Sequence, residues 1–194
     1  IAVTTDDSND EIVYASSMGD GVIQYKNGTP VQSYNEKNAF KETAGGYGSG
    51  YCYIDGLAFD KNGNLWMTSS EVNHAVLVLD KAGAWHRLDI EQLRGVYTIN
   101  DILITSTNDK WIYVPRNTPK LVMIPNSESL DEVSSYEFTT LIDTDGKELT
   151  PSNYTCVAED KDGYIWVGTN RGAVYFTKPR ISSAEDKAAT RCTR

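Results

Sequence analysis

Positive charge is in deficit: 18 Lys and Arg stand against 27 Asp and Glu in 194 residues, a net charge of −9. A nucleic-acid partner calls for a basic face that releases counterions from phosphate, so that class is set aside. Histidine is scarcer still, with only His74 and His86. A histidine-rich metal site is excluded, and a Ser-His-Asp triad would have to use one of those two. No Gly-x-Ser-x-Gly elbow is present to expose a nucleophile. Cysteine is limited to Cys52, Cys156 and Cys192, an odd number far apart without CxxC spacing, which argues against a zinc ribbon or a dithiol redox motif. The plain expectation is two thiols buried in strands and one in the tail, with a Cys156–Cys192 bridge open to an oxidising compartment. No stretch reaches the roughly 18–20 apolar residues of a membrane span. No basic, apolar and small-residue segment precedes Ile1, so the sequence reads as a processed chain or a piece of something longer. Helical periodicity is nearly absent as well. Residues 90–94 fit one turn and 182–190 are polar.

Aromatic residues are plentiful: four Trp, 12 Tyr and four Phe suffice to seed a core. They recur in a pattern. Ile54-Asp-Gly-Leu-Ala-Phe-Asp-Lys-Asn-Gly-Asn-Leu-Trp66-Met-Thr68 and Thr155-Cys-Val-Ala-Glu-Asp-Lys-Asp-Gly-Tyr-Ile-Trp166-Val-Gly-Thr169 share an apolar run, an Asp-Lys-(Asn/Asp)-Gly turn and an apolar-Trp-apolar strand. A weaker copy runs from Ile99 to Trp111 and on to Val114, and a degraded one opens the chain with Val13 in the place of the Trp. Val13, Trp66, Trp111 and Trp166 recur at intervals of 53, 45 and 55 residues. A period of roughly 40–50 residues made of strands is the signature of a propeller.

Each unit reads as a blade of four antiparallel strands, the first small and apolar, the second carrying the Trp that fills the space between neighbouring blades. Third strands are expected at 21–25, 75–79, 120–124 and 172–176, and outer strands at 30–34, 84–88 and 135–139. The fold class is therefore all-β, about four propeller blades over 1–179, with 180–194 a polar linker or the start of the next blade. This count makes the chain part of a larger propeller.

The string Cys156-Val-Ala-Glu-Asp-Lys-Asp-Gly-Tyr-Ile-Trp-Val-Gly-Thr-Asn-Arg-Gly-Ala-Val-Tyr175 resembles a two-component regulator propeller repeat. Unit two departs from that pattern at Met67-Thr68-Ser69, unit three lacks the turn glycine and unit one lacks the Trp. The resemblance implies an extracytoplasmic protein, in the periplasm or on the outer surface of a Gram-negative bacterium, without a cofactor. It implies one of two roles. The first is an accessory scaffold of type IX secretion that binds a protein of a surface complex, or a glycan such as lipopolysaccharide. The second is the carbohydrate-sensing domain of a hybrid two-component kinase.

Propeller geometry points to a face. If the Asp-turns lie on one side, the connections at 17–20, 45–53, 70–74, 98–100, 116–119, 152–154 and 170–171 lie on the other, where binding residues concentrate. Gly45-Gly-Tyr47-Gly-Ser-Gly-Tyr51-Cys-Tyr53 carries flat amphipathic rings on a flexible backbone, suited to sugar stacking or a protein hot spot, or else to packing on the blade edge. His74 falls in a face loop, either binding a ligand or simply solvated. Arg116 and Arg171, with Asn170 beside the latter, occupy corresponding loops and suit a carboxylate or phosphate, or pairing with local acids. Tyr47, Tyr51, His74, Arg116, Asn170 and Arg171 are thus the candidate ligand-binding residues. The Asp160-Lys-Asp162-Gly163 turn brushes a calcium-loop pattern but lacks its further ligands, and no metal site is expected. No acid–base pair or nucleophile converges in sequence, so the expected role is non-catalytic.

Overall fold

The computed structural model describes residues 1–40, 42, 50–131, 133–177 and 190–191. Strands β1 (Ala2–Thr5), β2 (Glu11–Gly19), β3 (Gly21–Lys26) and β4 (Thr29–Tyr34) form the first blade. The second comprises β5 (Cys52–Phe59), β6 (Leu65–Ser69), β7 (Val76–Leu79) and β8 (Trp85–Leu88). A 3-10 turn at Glu91–Leu93 follows, then β9 (Ile102–Ile104), β10 (Lys110–Val114), β11 (Lys120–Ile124) and β12 (Tyr136–Phe138). A short hairpin, β13 (Leu141–Ile142) and β14 (Glu148–Leu149), leads to β15 (Tyr154–Glu159), β16 (Ile165–Thr169), β17 (Gly172–Phe176) and β18 (Thr190–Arg191). Pairing within each blade is antiparallel in chain order. The all-β class, the four blades and the positions of the third strands and of the outer strands read at 30–34, 84–88 and 135–139 agree with the sequence reading. Within 180–194 the described pair Thr190–Arg191 forms the outer strand of the fourth blade, opposite Tyr175 and Val174.

The chain divides into two compact units, Ile1–Ile102 and Leu103–Arg194. In the first, Met18 and Gly19 of β2 pair with Tyr53 and Cys52 of β5, so the first two blades share one sheet system. Their core joins Ile12, Tyr14 and Val22 of the leading blade to Leu57, Leu65, Met67, Leu77 and Leu79 of the trailing one. In the second unit Trp111, Tyr113, Leu121 and Met123 meet Tyr154, Ile165, Val167, Val174 and Phe176. Side chains alternate between strand faces, so one row of each strand reaches this core. The second strand's aromatic ring does fill the space between blades, as Trp111 demonstrates.

One turn is repeated six times among the described residues, starting at Asp6, Asp60, Asp80, Thr105, Asp143 and Asp160. Its fourth residue donates its N–H back to the first carbonyl, and the first donates its N–H to the fifth carbonyl, as in Gly63 N to Asp60 O (3.1 Å) and Asp60 N to Asn64 O (2.9 Å). This is a type I turn closed by a left-handed residue. Gly63 at φ 84° and Gly163 at φ 81° take that position without cost, while Asn9 (φ 62°) and Asn108 (φ 66°) replace glycine in the first and third blades. The Asp side chain satisfies the turn's exposed N–H groups: Asp60 Oδ1 accepts from Asn62 N and Asn64 N, each at 2.9 Å.

Two expectations need correction. The turn register places Ile12, not Val13, six residues beyond Asp6, where Trp66 and Trp166 stand beyond Asp60 and Asp160. Val13 therefore faces away from the core that Ile12 joins. Cys156 is exposed rather than buried, because the ladder shifts between Tyr154 and Cys156. That bulge lets both Tyr154 and Val157 face the core and turns Cys156 outward. Cys52 is buried as expected, and Cys192 lies outside the described residues.

Candidate functional site

On the side of unit Ile1–Ile102 opposite its Asp-turns, three loops are stitched together by backbone bonds. Ser70 N donates to Tyr53 O (3.0 Å), Glu71 N to Val96 O (2.8 Å) and Gly95 N to Val72 O (2.9 Å). Buried Ser70 is the central fastener: its Oγ donates to Asp55 Oδ2 at 3.1 Å and accepts from Ile99 N at 2.9 Å. Gly56 permits the inner strand of the second blade to lie against residues 101–102, since a Cβ there would sit 2.7 Å from Ile102 N. The face is thus a rigid platform and not a set of loose loops.

The platform carries phenols and carboxylates. Tyr51 and Tyr53 meet edge to face, with ring centroids 6.2 Å apart. Burial raises the Tyr53 phenol, and the neighbouring Asp55, Tyr51, Glu71 and Tyr97 raise it further. Tyr97 is 56% exposed and offers its ring to solvent. The Asp55 carboxyl is pushed up to about 6 by burial and by Asp101, against the pull of the Ser70 hydroxyl. Glu71 adopts φ 63°, a left-handed conformation that costs a non-glycine residue energy, and its Oε1 is buried with no hydrogen-bond partner. Backbone strain coupled to an unsatisfied carboxylate oxygen is the kind of local cost that functional sites carry. A carboxyl raised by burial, an unsatisfied carboxylate oxygen and three flat amphipathic rings together suit hydroxyl-rich or amide-rich partners, which stack and share hydrogen bonds.

The residues singled out in sequence fall into two groups. Tyr51 belongs to this platform, its ring against Gly19, where a Cβ would lie 3.2 Å away. His74 sits on the next loop, with its Nδ1 paired to Glu42 Oε1. Glu42 Oε2 also accepts from Asn73 N (2.7 Å) and His74 N (3.2 Å). Burial pushes the Glu42 carboxyl up, yet the bonds from the His74 ring, the His74 backbone and the Asn73 backbone hold it below its ordinary value. His74 therefore serves first as a clip on its loop. Tyr47 lies outside the described residues.

Arg116, Asn170 and Arg171 belong to unit Leu103–Arg194. There Pro115 O accepts from Tyr154 N (3.1 Å), and Asn153 O accepts from Asn170 N (3.1 Å), so both arginine loops border the same 152–154 segment. The Asn170 amide is engaged locally: Oδ1 accepts from Ser152 N (3.0 Å) and Asn153 N (3.1 Å), and Nδ2 donates to Ser152 Oγ (2.8 Å). It ties the loop of exposed Arg171 to 152–153, while Arg116 is exposed on its own loop. Tyr53, Ser70 and Glu71 lie in the face connections expected at 45–53 and 70–74 without being among the candidate ligand-binding residues, and Asp55 and Tyr97 lie outside those connections. Among the described residues no group of three or more His, Cys, Asp or Glu is arranged to hold a metal ion.

Four-stranded antiparallel blades that pack face to face in pairs and repeat one turn–indole motif define a β-propeller segment. Residues 148–171 match the family model described as Two component regulator propeller, so the chain carries a repeat of that family. No curated protein matches the chain in sequence. Among solved structures it is similar to PorZ, an essential bacterial surface component of the type-IX secretion system of Porphyromonas gingivalis, with TM-score 0.79 and 18% identity over 90% of this chain and 24% of PorZ. The extracellular domain of the putative hybrid two component system BT3049 from B. thetaiotaomicron superposes with TM-score 0.61 and 18% identity over 98% of this chain and 22% of that one. The gluconolactonase XC5397 from Xanthomonas campestris shares the fold at TM-score 0.55 and 12% identity, over 98% of this chain and 61% of that one. The chain thus spans about a quarter of PorZ and of the BT3049 domain.

Proposed function

We propose that this chain is a segment of a larger, extracytoplasmic β-propeller that binds a protein or glycan partner through the platform of Tyr51, Tyr53, Asp55, Glu71 and Tyr97, without catalysis. The observation that carries this reading is the platform itself, a stitched loop face presenting aromatic rings beside an unsatisfied Glu71 oxygen. A larger ring accounts for apolar side chains left in solvent on the first blade, Val3 at 57% and Val31 at 53% exposure. Similarity to PorZ supports an accessory or scaffold role in type IX secretion at the surface of a Gram-negative cell. The match over 148–171 and the BT3049 fold favour a second reading, the carbohydrate-sensing domain of a two-component system. The net charge of −9 speaks against a nucleic-acid partner.

The test is binding to a glycan array, to purified lipopolysaccharide and to candidate protein subunits, using the native chain and the variants Tyr53→Ala and Glu71→Gln. Saturable binding that weakens at least tenfold in both folded variants is expected. Glycan-only binding selects the sensor, and a stoichiometric complex with a secretion subunit selects the scaffold. Binding unaffected by either variant removes the platform from the account. Turnover of a bound sugar or lactone that disappears in Asp55→Asn overturns the non-catalytic reading.

A further inference from the structure

In the second and fourth blades the Asp of the turn and the Trp six residues later form a pair. Asp60 Oδ2 accepts from Trp66 Nε1 at 2.9 Å, and Asp160 Oδ2 from Trp166 Nε1 at 2.7 Å. The first blade keeps the acceptor and loses the indole. Ile12 stands at the Trp position, and Asp6 Oδ2 accepts from Lys26 Nζ at 2.8 Å. The neighbours have changed in the same direction. Ile12 lies opposite Lys26 and Tyr14 opposite Gln24, where the third blade sets Trp111 opposite Met123 and Tyr113 opposite Leu121. Across the wedge, Leu79 pairs with Leu65 in the place where Phe176 pairs with Ile165.

Replacing Trp by Ile and Phe by Leu removes volume, and Lys26 and Gln24 put polar groups where the other pair has apolar ones. The outcome is a cleft of about 540 Å3 on the Asp-turn side of the first two blades, with Ile12, Tyr14, Phe59, Leu65 and Leu79 in its wall and Asp6, Lys26 and Lys81 at its rim. That volume lies within the roughly 300–1,000 Å3 of small-molecule sites. We propose that this cleft binds a planar, indole-type ring, carried by a small aromatic molecule or by the Trp side chain of a partner polypeptide. The ring would take the place that the chain's own indole fills in the other three blades, against Tyr14, Phe59 and the aliphatic wall. Its N–H would donate to Asp6, whose Oδ2 has a second lone pair beyond the one that Lys26 occupies. The site lies on the opposite side of the unit from the loop platform and does not depend on the function proposed for that platform.

The experiment titrates the full 15N-labelled chain with indole and, separately, with N-acetyl-tryptophanamide, following backbone amides by NMR. Saturable shifts centred on Ile12, Lys26 and Leu79 are expected for at least one probe. Ile12→Trp fills the cleft from within and should weaken binding at least tenfold. Leu79→Phe, which installs the residue of the fourth blade, should weaken it several-fold and stands in if the first variant does not fold. Binding of indole alone assigns the source to a small molecule, and equal or tighter binding of the amide assigns it to a polypeptide. Failure of both probes to give saturable shifts at the cleft overturns the proposal. So does unchanged binding in folded Ile12→Trp or Leu79→Phe.

Discussion

The two blade pairs hold complementary halves of one motif. In Leu103–Arg194 the wedge is closed: Trp111 is fully buried and packs against Phe138 (centroids 5.7 Å) and Phe176 (5.2 Å). Its Nε1 nevertheless has no hydrogen-bond partner: Thr105 stands in the place of the turn Asp, and its single Oγ1 is bonded to Asp109 N and Thr107 Oγ1. In Ile1–Ile102 the acceptor Asp6 is present, the indole is missing, and the wedge stands open. The leading blade of one pair has an indole without an acceptor, that of the other an acceptor without an indole. The turn's hydrogen bonds recur in both pairs, so ladder and turn set the blade while the indole sets how tightly blades close. The motif's two halves are separable, and each can be lost without losing the sheet.

Asp60 holds the complete motif of the second blade together. Four bonds converge on its carboxylate, including the one from Trp66, and its side chain is buried. Asp60→Ala should cost about 3 kcal/mol in urea unfolding, since the turn loses its cap and the buried Trp66 N–H is left without an acceptor. Phe176→Leu gives the closed pair the residue that the open pair has, and a loss of about 1.5 kcal/mol is expected by the same measurement. Thr105→Asp sharpens the comparison in the opposite sense. It supplies Trp111 Nε1 with an acceptor, and a gain of about 1 kcal/mol is expected, the nearby Asp109 charge offsetting part of the new bond.

A further effect is pH-dependent and tests the platform. The Asp55 carboxyl sits at about 6 in the folded chain, above the ordinary 3.8, chiefly through burial. The folded state therefore holds its proton more tightly, and the cost of ionising Asp55 is absent near pH 4 and fully present above about pH 6. Asp55→Asn should melt with the native chain at about pH 4 and at a higher temperature above pH 6. Calorimetric scans across that window check it, and a constant difference between the two proteins would show that Asp55 does not titrate there.

Much of the architecture was legible because its determinants are local. Asp60-Lys-Asn-Gly63 and Asp160-Lys-Asp-Gly163 declare their turns by chemistry, and the apolar-Trp-apolar strand follows at fixed spacing. Asp143-Thr-Asp-Gly146, which builds the β13–β14 hairpin, carries the same turn chemistry but no Trp six residues on to mark it as part of the repeat. Sequence alone does not separate Val13 from Ile12 at the Trp position, because one residue of strand register turns a side chain to the other face and only the turn's hydrogen bonds fix that count. The platform was half visible. Tyr51 belonged to a conspicuous Gly-Tyr run, but Asp55, Glu71 and Tyr97 are isolated polar residues whose convergence depends on long-range pairing between loops. The Glu42–His74 clip spans 32 positions and has no sequence mark. The open cleft was invisible for a different reason, since it arises from what one repeat lacks at a position whose register was not yet known.

The first blade retains the place of an indole and leaves it vacant. Urea unfolding of Ile12→Trp tests it most directly. If the place is vacant and built for a ring, the new side chain packs against Tyr14 and Phe59, its N–H reaches Asp6, and the unfolding free energy rises by about 1 kcal/mol. A fall of about 1–3 kcal/mol, the cost of forcing volume into a packed core, would contradict the account.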